Sequence, residues 1–469
     1  MGLSPVTDAR LTRLTLADAA ALVRARGVSP VDLADAVLER IAAIDGTLNC
    51  FTTLVSSDQI RAEALAAERE LAAGRCRGPL HGIPVGVKDL LDTAGLRTTY
   101  GSGIFREHVP ERDAAVAARL RDAGAIIIGK TATHEFGMGI TTNNYFFGPT
   151  LNPWHREHVP GGSSGGAAAA VAAEICPLQI GTDGGGSIRI PAAFCGVVGH
   201  KPTLGLMSNR GQFGNGNVSF SVPGPLTRTV RDAAIATQAL AGYDPTYAYS
   251  RPDPVPDLLV DLERGVTGLR IGTSPDLLRP DPDPAVAVAY RATLGRLAAL
   301  GAIVDTVAMP HHELLQLVTA VVFSVEGGQQ TRALIGDRPR LLSPAIAQLM
   351  TDSGIDAATW ARAARDRAWL AHDYAVAFER VDVLVVPTAP GPAPRIDDDE
   401  LPHVFRVVPY TAAVNLVGLA AATVPMGSSD GLPLGVQIIG PQGADALVLR
   451  VAHALEQSAA DHRVTRPPL

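Results

Sequence analysis

Residues Ala167–Ala173 form a helix-compatible run without a single charge, closed in front by Gly161-Gly162-Ser163-Ser164-Gly165-Gly166 and followed by Asp183-Gly184-Gly185-Gly186-Ser187. A helix that is apolar all round must be covered on every side. The fold therefore needs a deep interior in which this helix lies, with a glycine- and serine-rich loop at each approach. The 469 residues, 46% of them hydrophobic and 19% charged, provide for such an interior.

From about residue 80 onward, short β-branched runs alternate with helical patterns. Residues 125–129, 269–272, 302–307, 381–385 and 435–439 read as strands. That alternation predicts an α/β fold. Two helices precede it, opened by Thr15 with Asp18 and by Ser29 with Asp32, the second with Pro30 at its first position. Leu33, Val37, Ile41 and Ile44 line one face of the second. Asp283-Pro284 predicts a helix start with a stop at Gly301, and residues 314–325 are an apolar run between Glu313 and Glu326. No internal repeat or low-complexity linker divides the chain. The expected organisation is a single domain over 1–469, with a divergent lobe or insertion at about 245–380.

Charge excludes some partners. The balance of 40 basic against 47 acidic residues gives −7, and no Lys/Arg block has the density of a phosphate-backbone reader. Nucleic acid is not an expected partner. Cys50, Cys76, Cys176 and Cys195 form no C-x-x-C pair, so free thiols in a reducing cytoplasm are expected. Residues 1–15 lack the apolar core of a secretory signal, and Val6 stands where a myristoylation site needs Ser or Thr. The uncharged stretch 407–429 is broken by Pro409, Asn415, Gly418 and Pro425 and reads as strand-like buried core, not as a membrane span.

Two motifs mislead. Residues 124–131, GAIIIGKT, satisfy the phosphate-loop pattern, but that loop needs a turning, polar middle, and Ala125-Ile126-Ile127-Ile128 is itself a strand. Lys130 then stands at the end of a buried strand. Residues 162–166, GSSGG, satisfy the nucleophile-elbow pattern around Ser164, yet a polar loop, 155–161, occupies the place of the required strand.

The glycine loops call for a reason, because each glycine loses the most freedom on folding. Successive glycines can aim several backbone N–H groups at one point and so form an oxyanion hole at Gly184, Gly185, Gly186 and Ser187. A tight turn or an anion nest is the alternative for such a loop taken alone. A second serine loop and Lys88, in the apolar run HGIPVGVKD, favour chemistry. A lysine without solvent loses its proton readily and can act as a base.

Several segments in order resemble the amidase signature family: GIPVGVKDL at 82–90, GKTATHEFGMG at 129–139, FGPTLNPW at 147–154, the glycine–serine region, VPGPLTRTVRD at 222–232, DVLVVPTAP, and GLPLGVQIIG. The resemblance runs from about Leu14 to the C-terminal region. It implies a large twisted mixed β-sheet flanked by helices on both faces. It also implies a Ser-cisSer-Lys triad with Lys88 as base, Ser163 as the bridging serine after a cis bond, and Ser187 as nucleophile, with no metal or cofactor. Asp183 and Arg189 are expected to support the loop, and Met138, Gly139 and Ile140 to face the scissile group. Gly184 departs from the family's usual Thr or Ile and marks a possible substrate determinant. The expected activity is hydrolysis of a small non-peptide amide, extending to anilides, carbamates (urethanes) and esters, by a monomer or homodimer. The alternative is the glutaminase subunit of a tRNA-dependent amidotransferase. Residues 345–380 are not expected to supply the arginine-rich helix segment typical of that subunit, although Arg362, Arg365 and Arg367 stand close together there.

Overall fold

The computed structural model describes residues 8–214, 218–336, 338, 341–350, 354–459 and 466–469, so the reading of residues 1–7 lies outside them. Strands β1 (Phe51–Leu54), β2 (Pro84–Lys88) and β3 (Ile126–Thr131) come from the first third of the chain. A two-stranded ladder of β4 (Asn143–Asn144) and β5 (Gly148–Pro149) follows. Then come β6 (Leu178–Asp183), β7 (Val198–Lys201), β8 (Val222–Thr227), β9 (Arg270–Thr273), β10 (Ile303–Thr306), β11 (Val383–Pro387), β12 (Ala420–Ser429) and β13 (Leu432–Gly440).

Eleven of these form one mixed sheet in the order β1-β3-β2-β6-β8-β7-β12-β13-β11-β9-β10. β2 is parallel to both β3 and β6, β9 is parallel to β10 and β11, and the strands from β6 across to β11 pair antiparallel. Helices cover both faces. On β11, Val383 and Val385 pack with Val286, Leu297 and Val448, while Leu384 and Val386 pack with Val318, Leu370 and Leu416 on the other side. That period of two is what a strand buried on both faces produces.

Local signals place most elements where the sequence predicts them. Ser29 forms a capping box with Asp32, and the helix Pro30–Leu48 buries Leu33, Val37 and Ile41. Thr15 accepts from the Asp18 amide at the head of Leu16–Arg24. The apolar run after Glu313 becomes the helix Leu315–Val322 and passes into a single π-helical turn, Phe323–Gly327. One expectation holds with its cap altered, and one changes. The helix Pro284–Ala299 starts at Asp283-Pro284 and ends before Gly301 as expected, but Asp283 caps it without a side-chain bond because its carboxylate pairs with Arg406. Residues 407–429 are not strand throughout: Ala412–Val417 is a helix that ends at Gly418 in the left-handed region, and β12 follows. Among the described residues no helix is long and apolar enough to cross a membrane.

Candidate active site

The site lies at the carboxyl ends of the parallel strands β2 and β6. Val87 stands beside Ile180 in register, so the next residue of β2, Lys88, meets the last turn of β6 where Thr182 and Asp183 lie. Helix Gly165–Ala172 is buried along its whole length and presents Ser163 and Ser164 at its head. The peptide bond between Gly162 and Ser163 is cis.

Lys88 is fully buried. Its Nζ donates to Ser163 Oγ at 2.8 Å, Ser164 Oγ at 2.8 Å and Thr182 Oγ1 at 3.0 Å. Burial pushes the Lys88 amine well below its ordinary range, against the opposite pull of Asp183. The two serines differ in what else they do. Ser164 Oγ also donates to the Thr182 carbonyl at 3.2 Å and accepts from the Thr182 amide at 3.3 Å, which locks it between the helix and β6. Ser163 Oγ has Lys88 as its hydrogen-bond partner. The Ser163 carbonyl accepts from the His134 amide at 3.4 Å.

Ser187 is half-buried, and its carbonyl accepts from the Ser164 amide at 3.2 Å, which ties the two loops together. The Ser187 hydroxyl makes no hydrogen bond within the described residues, so the structure joins Lys88 to Ser163 but does not join Ser163 to Ser187 through their side chains. Around Ser187 the backbone is shaped by one carboxylate. Asp183 accepts from the amides of Gly186 at 2.7 Å, Ile188 at 3.2 Å and Arg189 at 3.3 Å, and pairs with the Arg189 guanidinium at 3.0 Å. Both side chains are fully buried. Burial alone would push the Asp183 carboxyl up, but the Arg189 charge and these hydrogen bonds outweigh it and hold the group well below the usual carboxylate range.

That carboxylate corrects one expectation. The Gly186 amide is directed at Asp183 and is not free to meet an oxyanion. Among the described residues the amides of Gly184, Gly185 and Ser187 have no internal acceptor. The Gly185 carbonyl accepts from Thr411 Oγ1. Arg189 reaches further, to Gln437 Oε1 at 2.8 Å, Asn415 Oδ1 at 2.6 Å and the Thr411 carbonyl at 3.0 Å. Asn415 in turn donates to the carbonyls of Asp183 at 2.8 Å and Phe220 at 2.9 Å.

The segment Met138–Ile140 lies at one side. Met138 packs against the aromatic cluster of Tyr100, Phe136 and Phe213, Gly139 lies against the His134 ring, and Ile140 is buried with Ile190 and Phe194 while its amide donates to Glu400 at 2.7 Å. Lys130 is remote from this chemistry: its Nζ reaches the Leu91 carbonyl and Thr93 Oγ1, which fixes the turn after Lys88. The sequence does not single out Thr182, Thr411, Asn415, Gln437, Phe220 or Phe323. Thr182 sits inside the glycine–serine region, next to Asp183, but the others lie far along the chain and no spacing announces them.

Comparison with known proteins decides the lineage. The family model Amidase matches residues 32–449. The chain belongs to the amidase signature family. Its relatives include a glutamyl-tRNA(Gln) amidotransferase subunit from Acidothermus cellulolyticus, 40% identical over 480 residues that cover 95% of this chain and 94% of the relative. The solved structure of the corresponding Thermotoga maritima protein is 32% identical, covers 95% of each chain and has a TM-score of 0.82. A bacterial aryl acylamidase of the amidase signature enzymes is 27% identical, covers 97% of this chain and 99% of its own, and has a TM-score of 0.89. Among the described residues no three His, Cys, Asp or Glu side chains gather where they could hold a metal ion. The chain is thus an amidase-family hydrolase by lineage.

Proposed function

We propose that this member cleaves the C–N bond of a small amide through an ester formed on Ser187, with Ser163 and Lys88 carrying the proton. The observation that supports this most directly is the buried, deprotonation-prone Lys88 at 2.8 Å from Ser163 Oγ. Ser187 Oγ attacks the carbonyl and hands its proton to Ser163, whose own proton goes to Lys88. The reverse transfer protonates the departing nitrogen, and water then releases the acid. The amides of Gly184, Gly185 and Ser187 stabilise the oxyanion, each donor contributing about 3 kcal/mol of transition-state energy. Met138–Ile140 flank the acyl site. The same steps extend to carbamates and activated esters. A cytoplasmic setting goes with this reading, since Cys50, Cys76, Cys176 and Cys195 are all free.

A second reading, a glutaminase subunit that works with partners, is favoured by the names of the relatives, which weigh on that side more than on ours. Against it stands the arginine most central to the helix Ala357–Arg380. Arg367 is committed to the Ser219 hydroxyl, the Ser219 carbonyl, the Leu416 carbonyl and Glu326, and offers no free fork for a carboxylate. One assay series separates the readings. A fluorophosphonate should label Ser187 by mass mapping, and Ser187→Ala should lower amide turnover at least about 10³-fold. A label on another serine overturns the mechanism. Ammonia release from glutamine in preference to simple amides, stimulated by a partner, establishes the second reading.

A further inference from the structure

The oxyanion loop is overlooked by two aromatic rings. A Cβ placed on Gly185 would lie 3.0 Å from Phe323 Cε2 and 3.1 Å from its Cζ, and one on Gly184 would lie 3.5 Å from the Phe220 ring. The two rings stack on each other, centroids 4.5 Å apart and 24° from parallel. Phe220 is buried at 4% exposure, whereas Phe323 is only half-buried, so accessible aromatic surface stands beside the loop that carries Ser187.

This pair is held from behind by a clamp. Ser219, just before Phe220, donates through its amide and its hydroxyl to Glu326, both at 2.8 Å. Glu326 lies three residues after Phe323, within the same π-helical turn. Arg367 closes the arrangement by donating to Ser219 Oγ at 2.7 Å and to its carbonyl at 3.1 Å. A π turn shifts the direction of the side chains it carries, and such turns gather at functional sites. Here it sets Phe323 over Gly185 and Glu326 toward Ser219 at once. The absence of a side chain at Gly184 and Gly185 lets both rings pack directly against the loop backbone, since a Cβ at Gly185 would already crowd Phe323.

We propose that Phe220 and Phe323 form a specificity wall that receives a flat apolar group of the substrate, and that Glu326 and Arg367 are positioning residues for it. The inference rests on the acyl-Ser187 reading and adds the substrate class, amides bearing an aryl or comparable planar apolar substituent. A pocket wall of this kind discriminates by contact area, at roughly 10–200-fold for the gain or loss of a hydrophobic contact.

The test compares kcat/KM for benzamide and propionamide in the full-length protein, with competent enzyme counted by fluorophosphonate titration of Ser187. Phe323→Ala should lower the benzamide-to-propionamide ratio about tenfold or more, with Phe323→Leu intermediate. Arg367→Met should raise KM for benzamide several-fold while leaving kcat for that substrate within about twofold, the split expected when contacts shared by ground and transition state are loosened. A variant that folds poorly loses titratable sites, which alters both substrates equally and leaves the ratio readable in Phe323→Leu. An unchanged ratio in both Phe323 variants overturns the wall. Labelling of Ser187 without preference for benzamide in the parent protein also overturns it while sparing the hydrolase mechanism. Absence of any label on Ser187 removes the mechanism first and the wall with it.

Discussion

Lys88 illustrates how one residue can be both a structural cost and a chemical asset. An ammonium with no solvent is unfavourable, so the neutral amine is the form the fold favours, and three hydroxyl groups stand around it. The base form exists above the folded-state pKa, so amide kcat/KM should fall as pH drops through that depressed value. The Lys88→Met variant should lose the acid limb and about 10²–10⁴-fold of activity, as measured by pH profiles on one amide. A parent profile that is flat from acid to alkaline pH removes Lys88 from the role. At this scale the sequence is informative where the proposed chemistry is local: Lys88, Ser163, Asp183 and Ser187 fall in short motifs. It is silent on Asn415 and Gln437, whose hold on the loop depends on helix Ala412–Val417 and β13 arriving beside it from 220 or more residues away. Nor does glycine spacing reveal that Asp183 takes the Gly186 amide.

The helix Gly165–Ala172 shows the element scale. Its charge-free composition announces burial, and it is buried at every residue. What composition cannot announce is why glycine opens it. A Cβ on Gly166 would lie 2.5 Å from the Ala132 amide and 2.5 Å from the Cys50 carbonyl, both backbone atoms. The helix can sit against β1 and β3 only without a side chain there. Gly166→Ala should therefore cost about 1–3 kcal/mol of stability by overpacking, read as a lower urea midpoint. Because the helix carries Ser163, the same variant should lose fluorophosphonate reactivity at temperatures where it is still folded. Retention of both properties would mean that the helix has slack. Among the strands, position is legible to within a few residues but order is not. The sheet interleaves early and late strands through antiparallel pairings that periodicity does not encode.

For the molecule as a whole, three buried lysines share a sign. Burial lowers Lys88 well below its ordinary value, Lys130 to about 8 and Lys201 to about 7, the last assisted by nearby Arg189. In the window between those folded-state values and the ordinary 10.5, the unfolded chain binds more protons than the native one, so stability rises with pH. Urea midpoints should climb from about pH 7 to about pH 8.5, above which the buried thiols of Cys50, Cys176 and Cys195, held protonated by burial, pull the other way. Lys201→Met should flatten part of that slope, and an equal slope in parent and variant refutes the account. Asp89 and Asp232, raised to about 6 by burial, act oppositely and only below that pH. The final consequence concerns the clamp of Ser219, Glu326 and Arg367. The groups assigned to bond-breaking fall within residues 88–187, whereas Phe323 and two of the three clamp members belong to the stretch between β10 and β11. On the proposed wall, drift or deliberate diversification confined to that stretch would alter the molecule's diet and leave its proposed bite intact.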